Sequence, residues 1–155
     1  MTFNRVLVPY DLTELSKKAV DQAVQLSKEN TTQIFILHVI NEIPLPIRRS
    51  KIESRDNEVI ISPLVNQVYD ELRNDIVPIF EDLKEKYSKY KVTIATEIKV
   101  GQPASKIVEF VEQNNIDLVI MGSVGLTGFS GMIKRLGSVA RSVAEEVTCP
   151  VLIMR

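Results

Sequence analysis

A glycine-rich stretch near the C-terminus has the residue types that bind a polyphosphate. The segment MGSVGLTGFSGMIKRLGSVA, residues 121–140, follows an apolar run and holds five of the chain's six glycines. Glycine lets backbone amides approach an anion closely, and a helix that opens at Gly137-Ser138 adds unpaired N–H groups and a hydroxyl. Because the lysine of a Walker loop is missing, the alternative is a long turn that ends in a serine cap.

Asp11 is the second candidate, since it directly follows the first apolar run of the chain. A carboxylate at that position can accept hydrogen bonds from a ribose. It can equally cap the helix that follows, because Asp11 and Glu14 match an acidic capping box, with Thr13 as a rival cap. Both interpretations of Asp11 stay open at the level of sequence.

The remaining chemically active residues favour packing or surface roles. His38, the only histidine, lies in an apolar run without a second histidine or cysteine to complete a metal site. Cys149 is the only cysteine, so it cannot form an intramolecular disulfide, and packing is its expected role. Lys134 and Arg135 could meet phosphates or form a solvated basic loop. The sequence has no G-x-S-x-G elbow to suggest a nucleophile.

Composition excludes several classes of protein. The chain has 155 residues, a net charge of −1 and a mean hydropathy of +0.04. It has no strong charge to attract nucleic acid or an anionic membrane, and no apolar run near the roughly 18–20 residues that span a bilayer. The N-terminal MTFNRVLVPYD lacks a signal-peptide pattern, so the expected location is the cytoplasm.

Alternating strands and helices must position these residues. The first helix should bury Leu15, Ala19, Ala23 and Leu26, and a second helix should run from about Pro63 to Tyr87 with a kink or break at Pro78. Further helices are predicted from Pro103 and over 138–147. Residues 41–62 lack a clean period and are predicted to be a flexible excursion. The predicted strands are RVLVPY (5–10), QIFILHV (33–39), KVTIATEIKV (91–100), IDLVIM (116–121) and PVLIMR (150–155).

This alternation predicts a doubly wound α/β fold, a mostly parallel sheet with helices on both faces, in a single domain over 1–155. The third strand alternates and is expected at an edge. Ligands of such sheets bind beyond the carboxyl ends of the strands, where the strand order reverses. A chain that starts in the middle of its sheet brings the ends of its first and fourth strands together there.

The sequence resembles the universal stress protein family over essentially its full length. The resemblance rests on VLVPYDLTELSKKAV, ILHVI, VGQPASKIVEF, DLVIMGSVGLTG and LGSVARSVAEEVTCPVLIMR, in that order. It implies a Rossmann-like sheet of five parallel strands in the order 3-2-1-4-5. It also implies ATP as the ligand and a homodimer that pairs through the last strand. Mg²⁺ or Mn²⁺ is the expected accompanying ion, and no metal ligands are expected from the protein.

The resemblance also assigns roles by position. Asp11 is implied to bind the ribose, Pro9 and the backbone of Val39 to frame the adenine, residues 121–125 to line the adenosine, and residues 137–139 to meet the phosphates. The implied nucleotide-binding residues are Pro9, Asp11, Val39, Met121, Gly122, Gly125, Gly137, Ser138 and Val139.

The chain departs from the family at one place. The family signature has nine residues between its second and third glycines, whereas eleven residues, LTGFSGMIKRL, separate Gly125 from Gly137. Two extra residues cost little closure entropy but can shift the amides, which weakens the phosphate assignment more than the adenosine one.

Three functions follow from this sequence. The first is a cytoplasmic stress-response protein that binds ATP as a sensor or partner-regulating module, and the alternative is a nucleotide-independent homodimeric interaction module. A true ATPase is the third, with slow hydrolysis expected because neither a Walker lysine nor a convincing base is present.

Overall fold

The protein forms a five-stranded parallel sheet with helices on both faces. The computed structural model describes residues 2–27, 31–43, 55–124 and 136–155. The strand order is β3-β2-β1-β4-β5 and every pairing is parallel, which confirms the predicted fold class and order. The strands are Arg5–Pro9 (β1), Gln33–Ile40 (β2), Thr93–Val100 (β3), Leu118–Gly122 (β4) and Val151–Met154 (β5). The helices are Glu14–Ser27 (α1), Arg55–Tyr87 (α2), Pro103–Gln113 (α3) and Ser138–Glu146 (α4).

Two apolar clusters sandwich the sheet. In β1, Val6 and Val8 pack into a cluster with α1 and α2, whereas Leu7 packs into a second cluster with α3 and α4. Successive side chains of a strand point to opposite faces, so a strand covered on both faces is apolar throughout. This explains why the first run of the sequence is a strand without alternation, and it places β1 at the centre of the fold.

In the α1 helix, one residue that was predicted to be buried is exposed. Ala19 and Ala23 are buried as predicted, but Leu26 is 45% exposed. Ser27 is buried instead, and its hydroxyl donates to the Ala23 carbonyl oxygen at 2.7 Å. A hydroxyl that is hydrogen-bonded within its own helix can be buried at a low cost in free energy. The buried face of α1 therefore includes Ser27 and leaves Leu26 in solvent.

The α2 helix is longer than the sequence predicts. It begins at Arg55, not near Pro63. It also continues through Pro78, so the break expected at that proline does not occur. Ile76 and Phe80, on either side of Pro78, are both buried in the core cluster of α1 and α2. We attribute the continuity of the helix to this packing, which offsets the backbone donor that proline lacks.

The predicted excursion at 41–62 is only partly described. Residues 41–43 have no regular structure, 55–62 belong to α2, and 44–54 lie outside the described residues. Residues 125–135, between β4 and α4 in the sequence, also lie outside the described residues. The predictions for Gly125, Lys134 and Arg135 therefore stay predictions. Within the described ranges, we find no helix with both the length and the apolar character needed to cross a membrane.

Candidate functional site

The carboxyl edge of β1 and β4 is the point at which the strand order reverses. The chain places β2 and β3 on one side of β1, and β4 and β5 on the other. Leu7 lies level with Val119, so β1 and β4 end side by side. Most of the predicted site residues therefore reach one edge of the sheet, which is where open α/β sheets bind ligands. The described ones are Pro9, Asp11, Val39, Met121, Gly122, Gly137, Ser138 and Val139.

The β1–α1 junction, residues 9–16, resolves the capping question. Thr13, not Asp11, caps the helix, since its Oγ1 accepts the Ser16 backbone N–H at 3.2 Å. The Ser16 hydroxyl donates in return to the Thr13 carbonyl oxygen at 2.9 Å. Asp11 instead accepts two hydrogen bonds from Thr13 at Oδ1, from its N–H at 3.2 Å and from its hydroxyl at 2.6 Å. The carboxylate is thus held next to the helix start without being its cap.

One carboxylate oxygen of Asp11 remains open. Within the described ranges Oδ2 of Asp11 makes no hydrogen bond, and the residue is half-buried. Leu12, between Asp11 and Thr13, has a φ of +70°, in the left-handed region that residues with a side chain rarely adopt. Residues held in this region cluster at ligand sites, where the surroundings fix the strained conformation. The junction presents a fixed acceptor for a hydroxyl donor.

His38, on β2, forms a hydrogen bond to the same junction. Its Nδ1 lies 2.7 Å from the Tyr10 carbonyl oxygen, so Nδ1 carries the proton and donates. The Tyr10 N–H donates to the Leu37 carbonyl oxygen at 2.8 Å. His38 is half-buried and hydrogen-bonded, in agreement with its predicted role near the core. The Tyr10 side chain is buried, and this burial raises the pKa of its phenol.

The β4–α4 junction, formed by residues 122–124 and 136–139, is built from backbone groups. The Ser123 N–H donates to the Met154 carbonyl oxygen at 2.9 Å, and the Ser123 carbonyl oxygen accepts the Gly137 N–H at 2.7 Å. The start of α4 is therefore joined to the end of β4 by a backbone hydrogen bond. The Gly137 N–H is thus already used, and a contact between Gly137 and a phosphate stays a prediction.

The amides that remain open lie one residue further along. Gly137 is the N-cap of α4 with extended backbone angles and no side-chain cap, and the first helical bond runs from the Arg141 N–H to the Gly137 carbonyl oxygen at 3.0 Å. The N–H groups of residues 138–140 precede that bond and have no acceptor within the helix. With the partial positive charge of a helix start, these N–H donors are chemically suited to an anion.

Gly122 brings the two junctions into contact. A Cβ built at Gly122 would lie 2.9 Å from the Cβ of Leu15 in the first turn of α1. Any side chain at position 122 would therefore push α1 away from the end of β4. The absence of a side chain, more than conformational freedom, explains the glycine here.

Other residues near this edge serve packing. Met121 is buried in the cluster of α3 and α4, so its backbone is the part that can face a ligand. Cys149 packs against the same cluster, and burial raises the pKa of its thiol. No group of three or more His, Cys, Asp or Glu side chains that could hold a metal ion occurs among the described residues.

Sequence reasoning missed two residues that organise the site. Thr13 appeared only as a rival cap, although the spacing Asp-x-Thr is typical of a turn in which an aspartate accepts from the residue two positions on. Ser123 gave no signal in the sequence, because its hydrogen bonds to Met154 and Gly137 both use its backbone. Backbone roles of this kind do not depend on the side chain.

Comparisons with known proteins agree with this geometry. The model of the "Universal stress protein family" matches residues 2–155. The chain is 35% identical to universal stress protein YxiE of Bacillus subtilis, with 99% of each chain covered. Protein MJ0577 of Methanocaldococcus jannaschii has a similar structure, with a TM-score of 0.81, 23% identity and coverage of 99% and 96% of the two chains.

An AMP-bound universal stress protein from Arabidopsis thaliana is also similar in structure, at a TM-score of 0.62 and 17% identity, covering 97% of this chain and 90% of the other. The fold, the strand order and the glycine-rich connection at the carboxyl edge are thus accompanied by a family match over nearly the whole sequence. The chain belongs to the universal stress protein family.

Proposed function

We propose that this protein binds ATP at the carboxyl edge of β1 and β4 and acts in the cytoplasm as a nucleotide-dependent sensor or partner-regulating module of the stress response. One observation carries the proposal. Two unlike groups, Oδ2 of Asp11 and the N–H groups of residues 138–140, make no hydrogen bond within the described ranges, and they lie at junctions that meet at Gly122 and Leu15.

The two groups match the two polar ends of a nucleotide. A carboxylate oxygen accepts hydrogen bonds from ribose hydroxyls, and the N–H groups of a helix start donate hydrogen bonds to phosphate oxygens. The AMP bound by the related Arabidopsis protein supports an adenine nucleotide as the ligand. Fast hydrolysis is not part of this proposal, because the chain lacks the Walker lysine that neutralises developing charge in phosphate-loop enzymes. Any Mg²⁺ or Mn²⁺ would arrive with the phosphates.

Thermal unfolding with and without ATP tests the proposal. A ligand present at 100 times its dissociation constant adds about 2.7 kcal/mol of stability, which raises the Tm of a domain of this size by roughly 5–10 °C. We expect this shift with millimolar ATP and not with equimolar tripolyphosphate, which lacks the adenosine. An unchanged Tm at millimolar ATP would contradict the proposal.

A nucleotide-independent dimer is the second candidate, and β5 favours it. β5 is an edge strand with its apolar Leu152 39% exposed. Exposed apolar edge strands are templates for pairing with another chain. We propose that two copies pair through β5. The same interface would serve either function.

Native mass spectrometry of protein purified without added nucleotide separates the two candidates. A dimer that carries ATP supports the nucleotide-dependent module, and a bare dimer that ATP does not stabilise supports the interaction module. A Leu152→Lys variant should be monomeric in both cases, because a charge replaces the apolar side chain at the paired edge.

A further inference from the structure

We propose that Thr13 is a positioning residue that fixes the Asp11 carboxylate for the ribose hydroxyls, a role that rests on the proposed nucleotide binding. The Thr13 hydroxyl donates to Oδ1 of Asp11 at 2.6 Å, within the range of a charge-assisted O–H···O⁻ bond. The Thr13 N–H reaches the same oxygen at 3.2 Å. Because both Thr13 donors bind Oδ1, the carboxylate cannot rotate freely, and the direction of Oδ2 is fixed as well.

Thr13 is itself held firmly, which makes it a suitable anchor. Its Oγ1 accepts the Ser16 N–H, and its carbonyl oxygen accepts both the Ser16 hydroxyl and the Lys17 N–H at 3.1 Å. Ser16 is only 1% exposed, so the anchor is set into the core side of α1. The Thr13 side chain therefore fixes the Asp11 carboxylate relative to the α1 helix.

The Thr13 hydroxyl performs two separable tasks. As an acceptor it caps α1, and as a donor it orients Asp11. The second task stabilises the Asp11–Thr13 turn and also directs Oδ2 of Asp11 toward a ligand, and the left-handed backbone of Leu12 lies between the two residues that make the contact.

The test is the ratio of the Kd of 2′,3′-dideoxy-ATP to the Kd of ATP, measured by isothermal titration calorimetry. This ratio reports only the ribose hydroxyls, so a general loss of stability does not move it. We expect the wild-type ratio to be about tenfold to hundredfold, the range for a hydrogen bond to a charged group. Thr13→Val removes the hydroxyl and should bring the ratio severalfold closer to one, whereas Thr13→Ser should restore it.

Two further variants keep the test decisive. Thr13→Gly lacks the hydroxyl but caps nearly as well, so it should also lower the ratio even if the valine variant folds poorly. Ser16→Ala removes the hydroxyl bond to the Thr13 carbonyl oxygen and keeps both the capping N–H and the bond from Thr13 to Asp11, so it should lower the Tm and leave the ratio unchanged.

The outcomes separate the role of Thr13 from nucleotide binding itself. Failure of the wild type to bind ATP overturns the proposed function, and the role of Thr13 with it. Tight binding of ATP with a wild-type ratio near one, or with a ratio that Thr13→Val and Thr13→Gly leave unchanged, overturns the role of Thr13 alone.

Discussion

The two junctions at the carboxyl edge are built in opposite ways. The β1–α1 junction is held by side chains, with Thr13 joined to both Asp11 and Ser16. The β4–α4 junction is held by the backbone, through the bond from the Gly137 N–H to the Ser123 carbonyl oxygen. A side-chain site can be tuned by single substitutions, whereas a backbone site changes only when the path of the chain changes. We infer that the two junctions recognise different parts of one ligand.

Removal of one backbone amide should have the largest effect. Ser138→Pro deletes the first open N–H of α4, yet proline is favoured at this helix position and Gly137 already has the extended conformation that precedes proline. We expect the affinity for ATP to fall about tenfold to hundredfold, the range for a charge-assisted hydrogen bond, and the affinity for adenosine to stay unchanged. Calorimetric titration with both ligands measures this.

Ser138→Ala is the matched control for the proline variant. It removes the hydroxyl and keeps the amide, so its affinity for ATP should stay within a few fold of the wild type. Equal losses in the alanine and proline variants would contradict a backbone phosphate site.

A methyl group at Gly122 should separate the two junctions. The added Cβ would lie 2.9 Å from the Leu15 Cβ, so Gly122→Ala is expected to lower the free energy of unfolding by about 1–3 kcal/mol. Urea unfolding measures the loss. Combining it with Leu15→Gly, which removes the opposing Cβ, should recover part of the stability relative to the sum of the two single changes. Strict additivity of the two changes would mean that the contact is not the cause.

Substitution of Asp11 should weaken the other half of the ligand. Asp11→Asn replaces a charged acceptor by a neutral one, so we expect about a tenfold loss of affinity for ATP and for adenosine alike. The contrast with Ser138→Pro, which spares adenosine, sharpens the division between the junctions. The control is Glu14→Gln, because Glu14 is exposed and pairs with Lys17, away from Asp11. A loss for ATP alone in Asp11→Asn would place the carboxylate on the phosphate side.

Alkaline pH should act through the β1–α1 junction with a smaller effect. Burial raises the pKa of Tyr10 above 10.0, so between the unfolded and folded pKa values the folded state binds more protons. This contribution to stability is complete below pH 10 and is lost as the pH rises through the folded pKa. Urea unfolding of the Tyr10→Phe variant should therefore show a shallower fall in stability above pH 10 than the wild type. Parallel curves would contradict it.

The sequence predicted the fold better than it predicted the site. Apolar runs and alternation predicted the parallel α/β fold, because both faces of β1 are covered, and the resemblance to the family supplied the strand order. Leu26 and Pro78 were misjudged for a shared reason. In both places tertiary packing outweighed a local rule, through burial of Ser27 in one case and of Ile76 and Phe80 in the other.

The sequence indicated which residues lie at the candidate site, but it did not indicate their hydrogen-bond partners. Asp11 and the helix start at Ser138 follow from motif and spacing, but the division of labour between Asp11 and Thr13 requires knowing which oxygen meets which donor. The amide of Gly137 appeared open from sequence, yet it is used by Ser123, a contact between residues fourteen positions apart in the chain. No local pattern reports such a bond.

The most direct test of this account is a crystal structure of the protein grown with a non-hydrolysable ATP analogue. We expect one nucleotide per chain, with a ribose oxygen within hydrogen-bond distance of Oδ2 of Asp11 and a phosphate oxygen within the same distance of the Ser138 N–H. A nucleotide that touches only one junction, or that lies away from the carboxyl edge of β1 and β4, would contradict it.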